Sequence, residues 1–329
     1  MVASSLCCID KQNLEYTIHM NEIDAHLISG IQNTLNKKVV EVVHKGQGCA
    51  NDAYYLKTEN NAEYLLKCVR KNVDTPEQND LHVESSVIKY LNEKDPALPI
   101  PKVVYVSNEP AAYVYKYITG SPMIYVWNEM REECRVRLST SIGAFHAQTG
   151  EHISQSTAQK LGIRSNTNPN IIAHEMSAYK EFLTNPSLPE SAKEIARQAA
   201  ELYNSTSDIA VYHFLHNDVH NENIIVNNTI LSGVIDFGDC EYGDVHRDFF
   251  QHVRRYPNYL DHFINGYQKV SNRELSRKRI ISYAILRDLR EIADYYNNPE
   301  KERRERTQVP DTYTVRDRLF NYDNLIRTL

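Results

Sequence analysis

Residues 215–239, LHNDVHNENIIVNNTILSGVIDFGD, are the stretch that decides the fold of this 329-residue chain. Two apolar runs, 224–226 and 231–235, lie within it and are joined by the turn NNT. Short apolar runs on both sides of an Asn-rich turn predict a β-hairpin. A hairpin would hold the polar segment before it, HNDVHNEN, beside the polar segment after it, DFGD. The stretch therefore predicts two polar loops that are carried by one hairpin.

The residue types in these loops are those that phosphoryl transfer requires. HNDVHNEN fits H-x-D-x-x-x-x-N, in which Asp218 accepts the proton of an attacking hydroxyl or orients it, and Asn223 offers a carbonyl oxygen to Mg²⁺. Asp236, in the D-F-G pattern, offers a carboxylate to the same metal. One carboxylate, one amide and the phosphate oxygens suffice, because Mg²⁺ keeps several of its waters. We expect His216 to brace the loop of Asp218.

Other chemistries fit this stretch less well. His216 and His220 have the i, i+4 spacing of two zinc ligands on a helix, but the segment adjoins a β-run and lacks H-E-x-x-H. A hydrolase that used Asp218 and His220 would need a nucleophile, and no G-x-S-x-G occurs in the chain. Two unrelated polar turns are the remaining alternative. The spacing of the two motifs favours phosphoryl transfer.

The sequence of the N-terminal part predicts five strands, and one of them carries a lysine that needs a counter-ion. The predicted strands are 39–43, 53–57, 64–69, 103–106 and 112–117. Lys67 is the cation of the apolar run LLKCV, where burial is costly without a counter-ion. Glu84, on a helix predicted over 79–91, would pair with it and aim the ammonium at the α- and β-phosphates of a nucleotide. Alternatively, Lys67 lies on an edge strand and Glu84 is solvated.

Glycine and proline divide the chain into two predicted lobes. Gly46 and Gly48 lie in a turn where backbone N–H groups could approach a phosphate, although a plain hairpin turn fits equally. Gly120 and Pro122 follow the strand at 112–117. We therefore expect a nucleotide-binding lobe over 1–118, which includes an N-terminal helix predicted over 21–35, and a catalytic and substrate-binding lobe over 119–329.

In the second lobe, the sequence predicts five helices and one long polar segment. The predicted helices are 129–149, 171–183, 190–203, 259–270 and 279–296, and residues 151–170 are predicted to be a polar loop. His146, within the first of these helices, is interpreted as a packed residue rather than a metal ligand. The charged run at 300–306 indicates a solvated face or helix end.

Composition sets limits on the partners. The chain is 41% hydrophobic and 24% charged, with a net charge of −6, which argues against nucleic acid and is compatible with a cationic small molecule. Its six cysteines form no C-x-x-C pair and suit a reducing compartment. No signal peptide and no run of about 18 apolar residues occur, so no membrane partner is expected. The sequence predicts a cytoplasmic monomer or weak dimer.

With these motifs in place, the chain resembles the aminoglycoside phosphotransferase and choline kinase superfamily from about residue 39 to 250. The segments HNDVHNENIIV, IDFGDCEYGDVHRDF and LPIPKVVYVSNEPAAYVYKYITGSP carry the resemblance, most closely to the 2''-phosphotransferase branch. It implies an α+β, bilobal protein-kinase-like fold with a small β-rich N-lobe and a larger, mostly helical C-lobe. It also implies an O-phosphotransferase with Asp218 as base and Asn223 and Asp236 as Mg²⁺ ligands.

The resemblance further implies how the nucleotide is held. Lys67 and Asn51 would contact it, and the Lys116 carbonyl and Ile118 amide would meet the purine. Tyr115 would be the gatekeeper, and a bulky gatekeeper in that branch is associated with GTP, so ATP and GTP both remain open as donors.

The acceptor that the resemblance favours is an aminoglycoside, a polycationic amino sugar bound by carboxylates. The candidate carboxylates are Asp239, Glu241, Asp244, Asp288, Glu291 and Asp294. The last three alternatively form a solvated helix surface paired with Arg287 and Arg290, and Asp244 and Asp248 are equally good structural braces. Choline, a macrolide or a sugar-like metabolite is an alternative acceptor, and a nucleotide-binding pseudoenzyme is the alternative of another class.

Overall fold

The computed structural model of the chain describes residues 23–47, 51–69, 78–169, 173–308 and 313–329. Gly48 and Asn21, the predicted start of the first helix, lie outside these ranges. The chain divides into two units, Met1–Gly120 with Ser232–Gly238, and Ser121–Leu231 with Asp239–Leu329. The first is built mainly on a sheet and the second mainly on helices, so the predicted α+β class is confirmed.

Within its described residues, the first unit contains five complete strands and two helices. They are α1 (Ala25–Leu35), β1 (Val39–Gln47), β2 (Asn51–Thr58), β3 (Glu63–Val69), α2 (Gln78–Lys94), β4 (Val103–Asn108) and β5 (Ala111–Lys116). The strands form one antiparallel sheet in the order β1-β2-β3-β5-β4. Burial alternates along β2 and β3, as period-2 side chains require of a sheet with one covered face. That face and α1 share one apolar core, which includes Ile31, Leu56, Leu66 and Val114.

Local signals set the ends of α1. The Asp24 side chain accepts hydrogen bonds from the N–H groups of His26 and Leu27, which places the N-cap three residues after the predicted one. At the other end Asn36 is left-handed (φ 50°), and its N–H bonds the carbonyl of Asn33, as at many helix C-termini. The helix is therefore shorter at its start than the periodicity alone predicted.

The second unit contains ten α-helices and five complete strands among the described residues. They are β6 (Ser121–Pro122), α3 (Met123–Val126), α4 (Glu132–His152), α5 (Gln155–Lys160), β7 (Arg164–Asn166), α6 (Ala173–Thr184), α7 (Glu190–Ser205), β8 (Tyr212–Leu215), β9 (Ile224–Asn227), β11 (Glu241–Asp244), α8 (Phe250–Arg255), α9 (Leu260–Val270), α10 (Arg277–Asn297), α11 (Pro299–Gln308) and α12 (Val315–Arg327). Strand β10 (Ile230–Val234) runs from this unit into the first.

The predicted polar loop over 151–170 is wrong. It contains α5 and β7, and β7 pairs parallel with β11, which pairs antiparallel with β8. Ser154 caps α5 by accepting from the Thr157 N–H at 3.2 Å. The three residues of β7 owe their conformation to a strand far along the chain rather than to local propensity.

The predicted hairpin is confirmed by its turn. Strands β9 and β10 follow one another through Asn228 and Thr229, whose φ values are 49° and 66°. Two consecutive positive φ values define the tight turn that fits the twist of paired strands. Within the described ranges every helix is too short or too polar to cross a membrane.

Candidate active site

The loop after β8 is shaped by a left-handed asparagine. Asn217 has φ 67°, a conformation that asparagine tolerates better than most residues. Its turn directs two consecutive backbone N–H groups at one carboxylate, with His216 N at 3.1 Å from Asp248 Oδ2 and Asn217 N at 2.6 Å from Oδ1. Asp248 is buried, so its role is that of a brace.

Buried histidines complete this brace. His146 Nδ1 lies 2.8 Å from Asp248 Oδ2, and its Nε2 lies 2.9 Å from Nε2 of His252. Burial would raise the pKa of Asp248, but His146 and the loop N–H groups hold it below its ordinary value. The interpretation of His146 as a packed residue is confirmed, since it is buried within this network.

The two histidines of the loop hold backbone rather than metal. Nδ1 of His216 accepts the Asp218 N–H at 3.3 Å, and Nδ1 of His220 accepts the Glu222 N–H at 3.2 Å. His216 is therefore a brace, as the sequence predicted. These bonds occupy one ring nitrogen of each histidine and argue against the alternative zinc pair.

Asp218 and Asn223 are joined directly. The Asn223 amide nitrogen donates to the Asp218 carbonyl at 3.0 Å and to its Oδ2 at 3.2 Å. With its nitrogen used in this way, Asn223 presents its carbonyl oxygen as the atom that can bind a hard cation. The Asp218 side chain is 16% exposed, so a hydroxyl can reach its carboxylate.

In the first unit, Lys67 is held between two carboxylates. Its Nζ lies 3.1 and 2.9 Å from the two oxygens of Glu84 and 2.8 Å from Oδ1 of Asp236. Burial opposes the charge of Lys67, but Asp236 and Glu84 outweigh it and raise its pKa. The ion pair expected from the sequence is formed, and the edge-strand alternative is excluded because Lys67 lies on the central strand β3.

Glu84 has two further partners that the sequence did not indicate. Asp236 is left-handed (φ 68°), and the next residue, Phe237, donates its N–H to Glu84 Oε1 at 2.9 Å. The Tyr113 hydroxyl also bonds Glu84. Burial raises the pKa of Glu84, while Lys67 opposes that shift. Tyr113 lies opposite Lys67 in the β3–β5 register, and only the pairing of those strands reveals that position.

The predicted nucleotide contacts lie at the ends of strands. Tyr115 is buried and stacks on Tyr113, with ring centroids 5.8 Å apart. Lys116 ends β5, and the side chain of Ile118 packs so closely on Gly233 that an added Cβ would lie 2.7 Å from its Cδ1. Asn51 begins β2, and its Oδ1 is buried without a hydrogen-bond partner among the described residues.

The structure reassigns most of the acidic candidates to internal ion pairs. Asp288 is 1% exposed and accepts from Arg318 and Tyr322, each at 2.8 Å. Glu291 pairs with Arg254 and with Arg318, the latter at 3.1 Å. The substrate roles of both residues stay predictions, and they would require an acceptor to break these pairs. The solvated alternative is wrong for these two residues, since their arginines come from α8 and α12.

Of the three acidic candidates in or beside β11, Glu241 and Asp244 form internal ion pairs, whereas Asp239 is half-exposed. Glu241 pairs with Arg247 at 2.7 Å with its side chain 13% exposed, so its predicted substrate role would also require that an ion pair be broken. Asp244 is fully buried against Arg279 and His246 and is a brace. Asp239 remains half-exposed, and its carbonyl accepts from the Asn217 side chain at 3.3 Å.

The chain is similar to one known protein family and to several solved structures. Residues 44–279 match the model of the phosphotransferase enzyme family. Comparison with the curated proteins gives no sequence match. Among solved structures, the GDP and kanamycin complex of the phosphotransferase APH(2'')-IIIa matches with a TM-score of 0.62 and 16% identity, over 93% of this chain and 98% of that one.

Two further structures share the fold. The apoenzyme of a macrolide 2'-phosphotransferase from Brachybacterium faecium matches with a TM-score of 0.61 and 12% identity, over 87% of this chain and 96% of that one. The streptomycin and ATP complex of APH(2'')-IIa matches with a TM-score of 0.55 and 17% identity, over 93% and 96%. At these identities the likeness shows the fold, and the predicted kinase-like fold is confirmed.

Proposed function

We propose that this chain, which belongs to the phosphotransferase enzyme family, moves the γ-phosphate of ATP or GTP to a hydroxyl group of an aminoglycoside-type acceptor. The observation that carries the proposal is Lys67, an ammonium held by Glu84 and Asp236 on a central strand. A buried lysine fixed by two carboxylates is arranged to meet the phosphates of a nucleotide. Phosphoryl transfer follows from that arrangement and from Asp218 beside Asn223.

In the proposed nucleotide site, Lys67 meets the α- and β-phosphates and Glu84 keeps its ammonium in place. The Lys116 carbonyl and the Ile118 amide read the purine edge, and Asn51 contacts the nucleotide from the start of β2. Tyr115 limits the space behind the purine, which supports GTP beside ATP. Structural relatives hold ATP and GDP, the latter being the product that GTP leaves after transfer, so we propose either ATP or GTP as the donor.

The donor set suits Mg²⁺. Asn223 presents a carbonyl oxygen and Asp236 presents a carboxylate that is 48% exposed. Both are hard oxygen ligands, and we propose that they hold the metal. When bound, Mg²⁺ neutralises the charge that develops on the transferred phosphoryl group.

Asp218 is the proposed base. It takes the proton of the acceptor hydroxyl, or orients that hydroxyl for attack, and its carboxylate is directed by the amide nitrogen of Asn223. The brace of Asp248 and His216 keeps the loop backbone fixed, so Asp218 needs no rearrangement when the acceptor binds. We propose Asp239 as the carboxylate that meets an ammonium group of the acceptor.

A second acceptor class is favoured by one observation. Glu241, Asp288 and Glu291 are each neutralised by an arginine, so fewer carboxylates remain for a polycation than the sequence suggested. An acceptor with a single amine, such as a macrolide or choline, would need only Asp239. Relatives of the fold include both an aminoglycoside complex and a macrolide enzyme.

The decisive experiment removes the base. We expect Asp218→Asn to lower kcat by about 10²- to 10⁴-fold, since general-base catalysis contributes that much, while nucleotide binding is unchanged. Asp208→Asn, at an exposed aspartate in the same unit, is the matched control and should retain full activity. Kanamycin, a macrolide and choline, each assayed with ATP and with GTP, identify the acceptor. Unchanged turnover by Asp218→Asn would contradict the assignment.

A further inference from the structure

The candidate carboxylates for the acceptor differ in how firmly their arginines hold them. Glu241, Asp288 and Glu291 have side chains that are at most 16% exposed, and their arginines are nearly buried as well. Breaking a buried pair leaves an uncompensated charge and is strongly unfavourable. Asp239 is different, because it is 48% exposed and its partner, Arg164, is 58% exposed. Its counter-ion can therefore leave at little cost.

The backbone of Arg164 is fixed even though its side chain is exposed. Arg164 begins β7 and lies opposite Glu241 in the parallel pairing with β11. From there its Nη2 lies 3.6 Å from Oδ1 of Asp239 and 3.5 Å from the Asp239 carbonyl oxygen. These separations are long for charge-assisted hydrogen bonds, which usually measure about 2.7–2.9 Å. The guanidinium is thus a near but loose neighbour of the carboxylate.

Asp239 itself does not depend on Arg164 for its position. The Asn217 side chain donates to the Asp239 carbonyl at 3.3 Å from the loop that also carries Asp218. Arg287, 31% exposed, adds a second positive charge in the surroundings of Asp239. If Arg164 swings away, the backbone of Asp239 stays tied to the loop of Asp218, so the residue that carries the carboxylate keeps its place. An ammonium is a compact point charge, so it can occupy the position that the guanidinium vacates.

We propose that Arg164 is a resident counter-ion of Asp239 that the ammonium of a cationic acceptor displaces, which makes Arg164 a specificity-determining residue. The inference rests on the proposed function. Displacing Arg164 from Asp239 lowers the binding affinity of every cationic acceptor, whereas a neutral acceptor leaves the ion pair intact. Arg164 touches no reacting atom, so its effect is confined to acceptor affinity.

The test compares Arg164→Gln with the parent enzyme. Glutamine removes the charge and keeps a polar side chain. We expect KM for kanamycin to fall about two- to fivefold, the range that an exposed ion pair supports, with kcat and the KM for the nucleotide unchanged. Arg327→Gln removes an exposed arginine from a surface pair with Asp323 and should leave every parameter unchanged. In an Asp239→Asn background, Arg164→Gln should no longer lower KM for kanamycin.

The outcomes separate this inference from the proposed function. A parent enzyme that phosphorylates kanamycin, with KM unchanged or raised in Arg164→Gln, would overturn the role of Arg164 and leave the function standing. A gain of affinity that persists in the Asp239→Asn background would also overturn it. A parent that phosphorylates only a neutral acceptor would remove the inference, and a parent silent on every acceptor would remove the function and the inference together.

Discussion

At the scale of the residue, two non-glycine residues with left-handed backbones shape the loops that carry the proposed site residues. Asn217 (φ 67°) and Asp236 (φ 68°) each turn the chain so that the following or flanking N–H groups meet a buried carboxylate. For Asn217 that carboxylate is Asp248, and for Asp236 it is Glu84, which receives the Phe237 N–H. A non-glycine residue in this conformation costs about 1–3 kcal/mol unless its surroundings stabilise it. The strain therefore lies in the two loops that carry the proposed base and metal ligands.

Substitutions of Asn217 separate the effect of its left-handed backbone from the effect of its side-chain hydrogen bond. Asn217→Gly keeps the left-handed turn but loses the bond to the Asp239 carbonyl. Asn217→Ala loses that bond as well and places a Cβ in an unfavourable backbone region. We expect alanine to lower the free energy of unfolding by about 1–2 kcal/mol more than glycine does, measured by urea denaturation. Equal stability of the two variants would show that the turn is not the source of the strain.

Some residue roles were predictable from sequence and others were not. Lys67 and Glu84 were, because a lysine in an apolar strand needs a counter-ion and the next helix offers one. Asp288 was not, because its partner Arg318 lies 30 residues further on, and helix spacing indicates only neighbours on the same helix. Tyr113 was missed because its hydroxyl meets Glu84 only after β3 and β5 pair.

At the scale of the element, close helix packing in the second unit depends on two glycines. Helices α4 and α9 approach so closely that a Cβ at Gly143 would lie 1.8 Å from the Phe263 carbonyl oxygen. A Cβ at Gly266 would lie 2.0 Å from the Thr140 carbonyl oxygen. These obstacles are backbone atoms, which cannot rotate away as a flexible side chain does. Periodicity predicts both helices, but it does not predict that their backbones touch.

This packing predicts a large effect from one added methyl group. Gly143→Ala must separate α4 from α9, so we expect a loss of about 3 kcal/mol or more, at the upper end of overpacking. Ser141→Ala, on the exposed side of the same helix, should change stability by less than about 0.5 kcal/mol. Thermal and urea denaturation of both variants measure the difference. A Gly143→Ala protein as stable as Ser141→Ala would contradict the close contact.

The strands that the sequence predicts differ physically from β7, which it does not predict. Strands β2 and β3 alternate between buried and more accessible, mostly half-buried residues, and that pattern is visible in sequence. Strand β7 has three residues, two exposed and one half-buried, so it carries no alternation. Its conformation comes from β11, which lies more than 70 residues further along the chain. Long-range pairing of so short a strand leaves no local signal.

At the scale of the whole molecule, two buried histidines among the described residues of the second unit resist protonation. Burial lowers the pKa of His213 to about 4 and lowers that of His252 well below its ordinary value. His213 Nδ1 bonds the Tyr267 hydroxyl at 3.0 Å, and its side chain is 4% exposed. His252 stacks on Phe263 with ring centroids 4.0 Å apart. Protonating either ring would place a charge inside the helical core.

These histidines predict that acid destabilises the protein well before its carboxylates titrate. In the unfolded chain His213 binds a proton below a pH of about 6.5, whereas in the folded chain it does so only below about pH 4. The free energy of unfolding therefore falls as the pH falls from about 6.5 to about 4. The His213 contribution between pH 7 and pH 5 is about 2 kcal/mol, and His252 acts in the same direction. Urea denaturation should show a correspondingly smaller loss in His213→Asn and the full loss in His26→Asn, which changes an exposed histidine. Parallel pH curves for His213→Asn and the parent would mean that His213 is already charged in the folded protein.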